Sequence, residues 1–183
     1  MSPEPPATRA RSAGDADGTG VDDAVFVELM AAFAAGVAIV TALDEGGEPR
    51  GLTTTAVTSV SREPPLLLVC VDRTSRTLAA IRHSRGFVVN FIDAAQAAVA
   101  HHFSSKAEDK FGALAWRAGA GGAPVLHEHS HAWAECLIEQ EIDAGDHVVF
   151  IAEIVDGAVS DDRERLPLTY FRRSFGRFVA AER

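Results

Sequence analysis

Thr53, Thr54, Thr55, Thr58, Ser59 and Ser61 crowd into "GLTTTAVTSVS" (51–61), just ahead of "REPPLLLVCV", the most apolar run in the chain. Hydroxyls and exposed strand-end amides can bond the amide edge of a planar ring, or phosphate oxygens. A second polar stretch follows that run. "DRTSRT" (72–77) leaves a buried strand and opens a helix, where unpaired amides and the helix dipole favour an anion. Arg73, Ser75, Arg76 and Thr77 add further donors there. Together the two stretches suit a cradle for a phosphorylated, planar molecule. Read singly, each has a plainer meaning: a strand with one wet face, and an ordinary helix cap beside two solvated arginines.

Other residues with chemical potential are scattered. His147 begins a strand after a turn, where it faces either solvent or a site. Lys110 is either a cavity cation or a surface lysine. Asn90 lies in an apolar strand and requires a hydrogen-bond partner. In "HEHSH", His127, His129 and His131 share one face if the segment is extended, and three imidazoles can bind zinc or nickel. No carboxylate or cysteine at zinc-ligand spacing accompanies them, so a solvated loop is expected rather than a metal site. His101 and His102 are read the same way. Trp116 and Trp133 are expected in the core. No Gly-x-Gly-x-x-Gly turn opens a helix after a strand, and "GAGG" (119–122) reads as loop. A bound nucleotide would therefore not use a dinucleotide-binding domain. No nucleophile triad is evident.

The elements that would position these residues follow from periodicity. "DDAVFVELMAAFAAG" reads as a helix over 22–35, capped by Asp22 or Asp23 and ended by Gly36. Phe26, Leu29, Met30 and Phe33 fall on one face of it. "VAIVTAL" (37–43) and "RGLTTTAVTSV" (50–60) read as a hairpin about "DEGGEP". "LLLVCV" (66–71) is expected to be a fully buried strand. A short helix follows with Leu78 and Ile81 inward, then a strand over 86–92. Asp93 with Gln96 resembles a capping box for the next helix. After a looser stretch (104–124), "HAWAECLIEQEI" and "HVVFIAEIV" form strands about "DAGD", and "LPLTYFRRSFGRF" closes the chain. Mostly hairpin-linked strands with peripheral helices predict a mainly β fold, an antiparallel β-barrel with Greek-key-like connections.

Length and composition bound the answer. The 183 residues suit one domain, and 47% are hydrophobic. Residues 1–20, rich in Pro, Gly, Ala and charge, are expected to be a disordered tail before a domain over 21–183. A net charge of −9 with no basic block argues against nucleic acid or an anionic membrane as partner. There is no apolar run long enough to span a bilayer, and no signal peptide. Cys70 and Cys136, both in apolar strand-like runs, are expected as free thiols, which fits a reducing cytoplasm.

In order, "GLTTTAVTSVSREPPLLLVCVDRTSRT", "FVVNFI", "FSSKAEDKF", "APVL", "DAGDHVVFIAEIV" and "YFRRSFGRF" resemble the flavin reductase family from about Phe26 to Phe178. These are the small components of two-component flavin monooxygenases, with an FMN-binding split-barrel fold. The resemblance implies that Thr53, Thr54, Thr55 and Ala56 line the flavin ring, with Ser59, Val60 and Ser61 beside it. It implies that Cys70, Val71, Asp72, Ser75 and Thr77 form the ribityl and phosphate pocket. Phe103, Ser104, Lys110 and Phe111 match further flavin contacts. Phe175, Gly176, Arg177 and Phe178 match a loop bordering the nicotinamide, and His147 matches a histidine near both rings, the one catalytic candidate.

The implied activity is hydride transfer from NADH or NADPH to FMN or FAD, with release of reduced flavin to a partner monooxygenase. A homodimer is implied, with the helix at 22–35 and the strand edges as candidate contacts. Three readings compete with this one: a same-fold enzyme that retains its flavin, a flavin-binding module without turnover, and a His-rich metal-binding protein.

Overall fold

The computed structural model describes residues 20–112 and 114–181. Apart from Gly20, the expected tail over 1–20 lies outside the described residues. The first half of the chain forms α1 (Asp23–Ala31), β1 (Ala35–Gly36), β2 (Ala38–Leu43), β3 (Pro49–Thr54), β4 (Val57–Arg62), β5 (Pro65–Asp72), α2 (Arg76–Ser84) and β6 (Gly86–Ile92). A single 3-10 turn (Ala94–Gln96) leads into α3 (Ala97–Ser104). Then come β7 (Arg117–Ala118), β8 (Pro124–Val125), β9 (Ser130–Ala144), β10 (His147–Val159), β11 (Leu168–Phe171) and β12 (Ser174–Arg177).

Seven strands share one sheet in the order β3-β2-β6-β9-β10-β5-β4, and every pairing is antiparallel. The outermost strands, β3 and β4, are consecutive in sequence and joined only by Thr55 and Ala56. Two residues cannot cross a flat seven-stranded sheet, since neighbouring strands lie about 4.8 Å apart. The sheet must therefore curl until its edges meet, which makes the expected barrel. Bulges at Glu139 of β9 and Val155 of β10 bend this strand pair and add the coiling that closure requires.

Alternation then fills two large cores, beside a small cluster of Val88, Ala123 and Val125. Ala38, Val40, Ala42, Val69, Val71, Phe87, Val89, Cys136, Val148 and Phe150 point into the barrel, and α2 plugs one end with Leu78, Ala80 and Ile81. Ile39, on the other face of β2, packs outside the barrel with Ile92, Ala100, Phe103, Phe111, Leu126 and Leu168. Hence β2 is buried on both faces. Asn90 finds the partners that burial demands. Its Nδ2 donates to Ile39 O (3.1 Å) and Thr41 Oγ1 (3.2 Å), while its Oδ1 accepts from Leu126 N (2.7 Å).

Four expectations are corrected. The helix predicted over 22–35 ends at Ala31, and none of its residues is buried. The strand predicted over 50–60 breaks at Thr55–Ala56, where Thr54 Oγ1 accepts from Ala56 N (2.9 Å) and turns the chain between the sheet edges. The run "LLLVCV" is half-buried, with Leu67, Val69 and Val71 inward and Leu66, Leu68 and Cys70 on the outer face. Asp93 caps the 3-10 turn through Ala95 N (2.8 Å), but Gln96 turns instead to His129, so no reciprocal capping box forms.

Candidate functional site

Where β3, the end of β5, the start of α2 and the end of α3 converge, they enclose a cavity of about 490 Å³. Its base is the N-terminus of α2. Ser75 is the N-cap and accepts from Thr77 N (3.2 Å). Asp72 accepts from both Thr74 N and Thr74 Oγ1 (2.6 Å each), which holds its carboxyl below the usual range. Arg76 reaches across and donates to Ala107 O (2.6 Å), tying the 105–108 segment to the helix.

The opposite wall is aromatic. Phe103 and Phe111 meet edge to face at 5.0 Å, and Phe103 lies so close to β3 that a Cβ on Gly51 would come within 2.6 Å of its ring. Lys110 Nζ donates to Phe103 O (2.7 Å) and Gly51 O (3.2 Å), bracing α3 against β3. Burial, and then the neighbouring Arg76, push its amine below the ordinary lysine value. Thr53 Oγ1 donates to Ala100 O (2.7 Å).

This cavity gathers Thr53, Asp72, Ser75, Thr77, Phe103, Ser104, Lys110 and Phe111 of the residues expected from sequence. Thr55 and Ala56 border a separate, mostly apolar groove of about 650 Å³ between α1 and the β3–β4 link. Phe175, Gly176 and Arg177 border a third cavity of about 430 Å³ with Asp93, Glu164 and Leu166.

The remaining candidates line none of the three. Thr54 is engaged at the chain turn, and Val71 is fully buried in the barrel core. Ser59, Val60 and Ser61 lie on the edge strand β4, with a bulge at Val60. Cys70 is half-buried on the outer face of β5, and burial pushes its thiol up. Phe178 is exposed. His147 pairs in register with Asp72 and lies 2.8 Å from Asp146 Oδ1 through its Nδ1, so it stands beside the first cavity without lining it.

Arg50 and Lys106 also line the first cavity, and sequence reading missed both. Arg50 is held by Asp44, the residue that shapes the β2–β3 turn. A basic residue opening the return strand was the available signal. The histidines of "HEHSH" do not share an extended face. His127 and His129 lie in a turn and only His131 is on β9, and among the described residues no metal-holding group forms.

The site contains an anion-suited helix end, surrounding cations and a small aromatic wall. Comparison with known proteins gives the same direction. The family model described as "Flavin reductase like domain" matches residues 30–178. A flavin reductase (NADH) from Kitasatospora aureofaciens is 40% identical over 163 residues, covering 88% of this chain and 85% of that protein. A flavin reductase (NADPH) from Lentzea aerocolonigenes is 40% identical over 162 residues, covering 88% and 93%. The crystal structure of a nitrilotriacetate monooxygenase component B homolog from Mycobacterium thermoresistibile superposes with a TM-score of 0.81 at 30% identity, covering 85% and 86%. Barrel, cavity chemistry and sequence kinship converge on one conclusion: this chain belongs to the flavin reductase family.

Proposed function

We infer that the chain, as one domain over 21–183, oxidises NADH or NADPH, reduces FMN or FAD, and releases the reduced flavin to a partner monooxygenase. The observation that carries this reading is the 490 Å³ cavity, whose donor set suits an anionic tail and whose Phe103–Phe111 wall suits a flat ring. Relatives of comparable length named as NADH- and NADPH-dependent flavin reductases support both reductants. The component-B name of the structural neighbour supports a monooxygenase partner.

The flavin, when bound, supplies the hydride-accepting ring. Every other requirement falls on the chain. Ser75, with the amides and dipole at the start of α2, holds the phosphate. Lys110, spent on two carbonyls, keeps the wall in shape, and Phe103 excludes water from the ring. Thr53 would face the ring from the cavity, with Thr54, Thr55 and Ala56 continuing beyond it to the neighbouring groove, and backbone amides of this segment would stabilise negative charge on a bound ring. Gly176 and Arg177 would border the reductant, and His147, restrained by Asp146 beside the flavin cavity, would act where the two rings meet. No side-chain nucleophile is required.

The chain works as a homodimer. Phe26, Met30 and Phe33 are between 52% and 66% exposed along a groove that also reaches Thr55 and Ala56. A second copy covering that groove would place the interface beside the flavin edge. The protein acts in the cytoplasm, where Cys70 and Cys136 stay reduced; among the described residues no helix is long and apolar enough to cross a membrane.

The test is NADH and NADPH oxidation by purified protein with excess FMN, FAD or riboflavin. Turnover that saturates with free flavin is expected. Flavin that binds without turnover, or never leaves, overturns the diffusible reductase.

A further inference from the structure

The "HEHSH" segment serves as the seat of a loop. Residues 160–167 are fastened to it at both ends. Ser160 N donates to His131 O (2.8 Å), and Arg165 Nη2 donates to Glu128 O (3.0 Å). Arg165 Nε also pairs with Asp93 Oδ2 (2.9 Å), and Asp93 is 7% exposed. Asp93 N donates to His129 O (3.1 Å), and Ala94 N donates to Leu166 O (2.8 Å). One guanidinium thus joins the histidine segment, the start of the 3-10 turn and the loop. Glu164 and Leu166 of that loop, with Asp93, form the wall of the 430 Å³ cavity facing Phe175, Gly176 and Arg177.

Two imidazole nitrogens are buried at this junction. His129 Nδ1 lies 3.1 Å from Gln96 Oε1, and the ring of His131 lies 6.4 Å from that of Phe91. Among the described residues neither His129 Nε2 nor His131 Nδ1 has a hydrogen-bond partner. We propose that Arg165 and the histidine segment form an acid-sensitive latch, which holds the 160–167 loop against the reductant's cavity and opens when His129 and His131 take up protons. The proposal rests on the reading of that cavity as the NADH or NADPH site. Arg165 is here a positioning residue, acting through the loop.

The electrostatics run one way. Burial holds both imidazoles below the ordinary histidine value, so both are neutral at neutral pH. His129 faces Glu128, His127 and Arg165; His131 faces Asp93 and Arg165. Glu164 borders the cavity beyond Asp93. Glu128 favours protonation of His129, the Ile92 backbone and then Asp93 favour that of His131, and Arg165 opposes it for both rings. Protonating both rings puts two new positive charges beside Arg165, and that of His131 competes with it for Asp93. The ion pair that fastens the loop is then shared, and the loop loosens.

The experiment follows two readouts in wild type and in a His129→Gln, His131→Gln double variant. The first is amide exchange, corrected for intrinsic rates, at Ala94 and Ser160, with α2 amides as internal control. Wild-type protection there should fall about tenfold between about pH 7.5 and about pH 5.5, and the double variant should stay level. The second is steady-state kinetics at saturating flavin. The KM for the reductant should rise at least about threefold over that range in wild type only, with the KM for flavin unchanged. Arg165→Met should show the raised reductant KM already at about pH 7.5, with no further pH dependence. Equal protection at both pH values in wild type overturns the latch, and that measurement needs no variant and no activity. Opening without a change in reductant KM overturns its link to the cavity. Absence of turnover with any flavin would instead overturn the functional reading, and the exchange result would still decide the latch.

Discussion

At the scale of single residues, Ser75 separates two roles that one hydroxyl can play. It caps α2 and it faces the cavity. Replacing a capping Ser with Ala costs about 1 kcal/mol, whereas Gly at a cap costs only a few tenths. Ser75→Ala should therefore lower the midpoint of thermal unfolding and raise the flavin KM. Ser75→Gly should raise the flavin KM nearly as much with little loss of stability. Equal KM values for Ser75→Gly and wild type would remove the hydroxyl from phosphate binding. Gly51 makes a simpler case. An added Cβ meets the ring of Phe103 at 2.6 and 2.9 Å, and Phe103 is wedged against Phe111. Gly51→Ala should destabilise the fold by about 1–3 kcal/mol and distort the cavity wall. Denaturant unfolding with parallel flavin titration checks both effects.

At the scale of elements, α1 is the outlier. A nine-residue helix is marginal alone, and this one buries none of its own residues. It is fastened by Arg173 to Glu28 (2.7 Å) and by Arg172 N to Ala31 O (2.7 Å), with Asp22 as its cap. Phe26→Ser with Phe33→Ser should shift sedimentation from dimer to monomer while leaving the barrel's circular dichroism intact. A monomeric wild type would reject the dimer. This helix also marks where sequence reading worked and where it stopped. The apolar spacing of Phe26, Leu29 and Met30 correctly gave a helix with an apolar face, though the helix ends before Phe33. Spacing cannot say whether the surface that face meets belongs to the same chain. The strands were easier to find than to orient: β-branched runs marked β2 and β5, but the two faces of Val69 and Cys70 were not legible in an unbroken apolar run. The histidine segment was expected as a loop and 127–129 form a turn, but its burial against Asp93, Gln96 and Arg165 was not legible because those partners are distant in sequence. The cavity's Ser75 and Thr77 were legible because capping is local, while Arg50 and Lys106 reach it only through the fold.

At the scale of the whole molecule, acid should act in two stages. His129 and His131 have folded-state values below the ordinary one of about 6.5, so the unfolded chain binds more protons there. Their contribution is complete above that value and is lost as pH falls toward the depressed one. Asp44, Asp72, Asp109 and Asp146 are likewise held low, chiefly by hydrogen bonds, and their contribution disappears only below the ordinary carboxylate value of about 3.9. Thermal midpoints measured against pH should fall first below about 6.5 and again below about 4. The first fall should be absent from the His129→Gln, His131→Gln variant, and a single fall in wild type would contradict this account.

The junction at Thr55 and Ala56 gives the molecule a vulnerability that its ladders do not share. β3 and β4 each pair on one side only, with β2 and β5. Their meeting is secured by a covalent link where other neighbouring strands have rows of hydrogen bonds. Thr55 is exposed at that link. One proteolytic cut there would free two strand edges at once and leave an open sheet able to recruit edges from other molecules. Anything that shields the groove beside Thr55 therefore also protects the protein against nicking and aggregation.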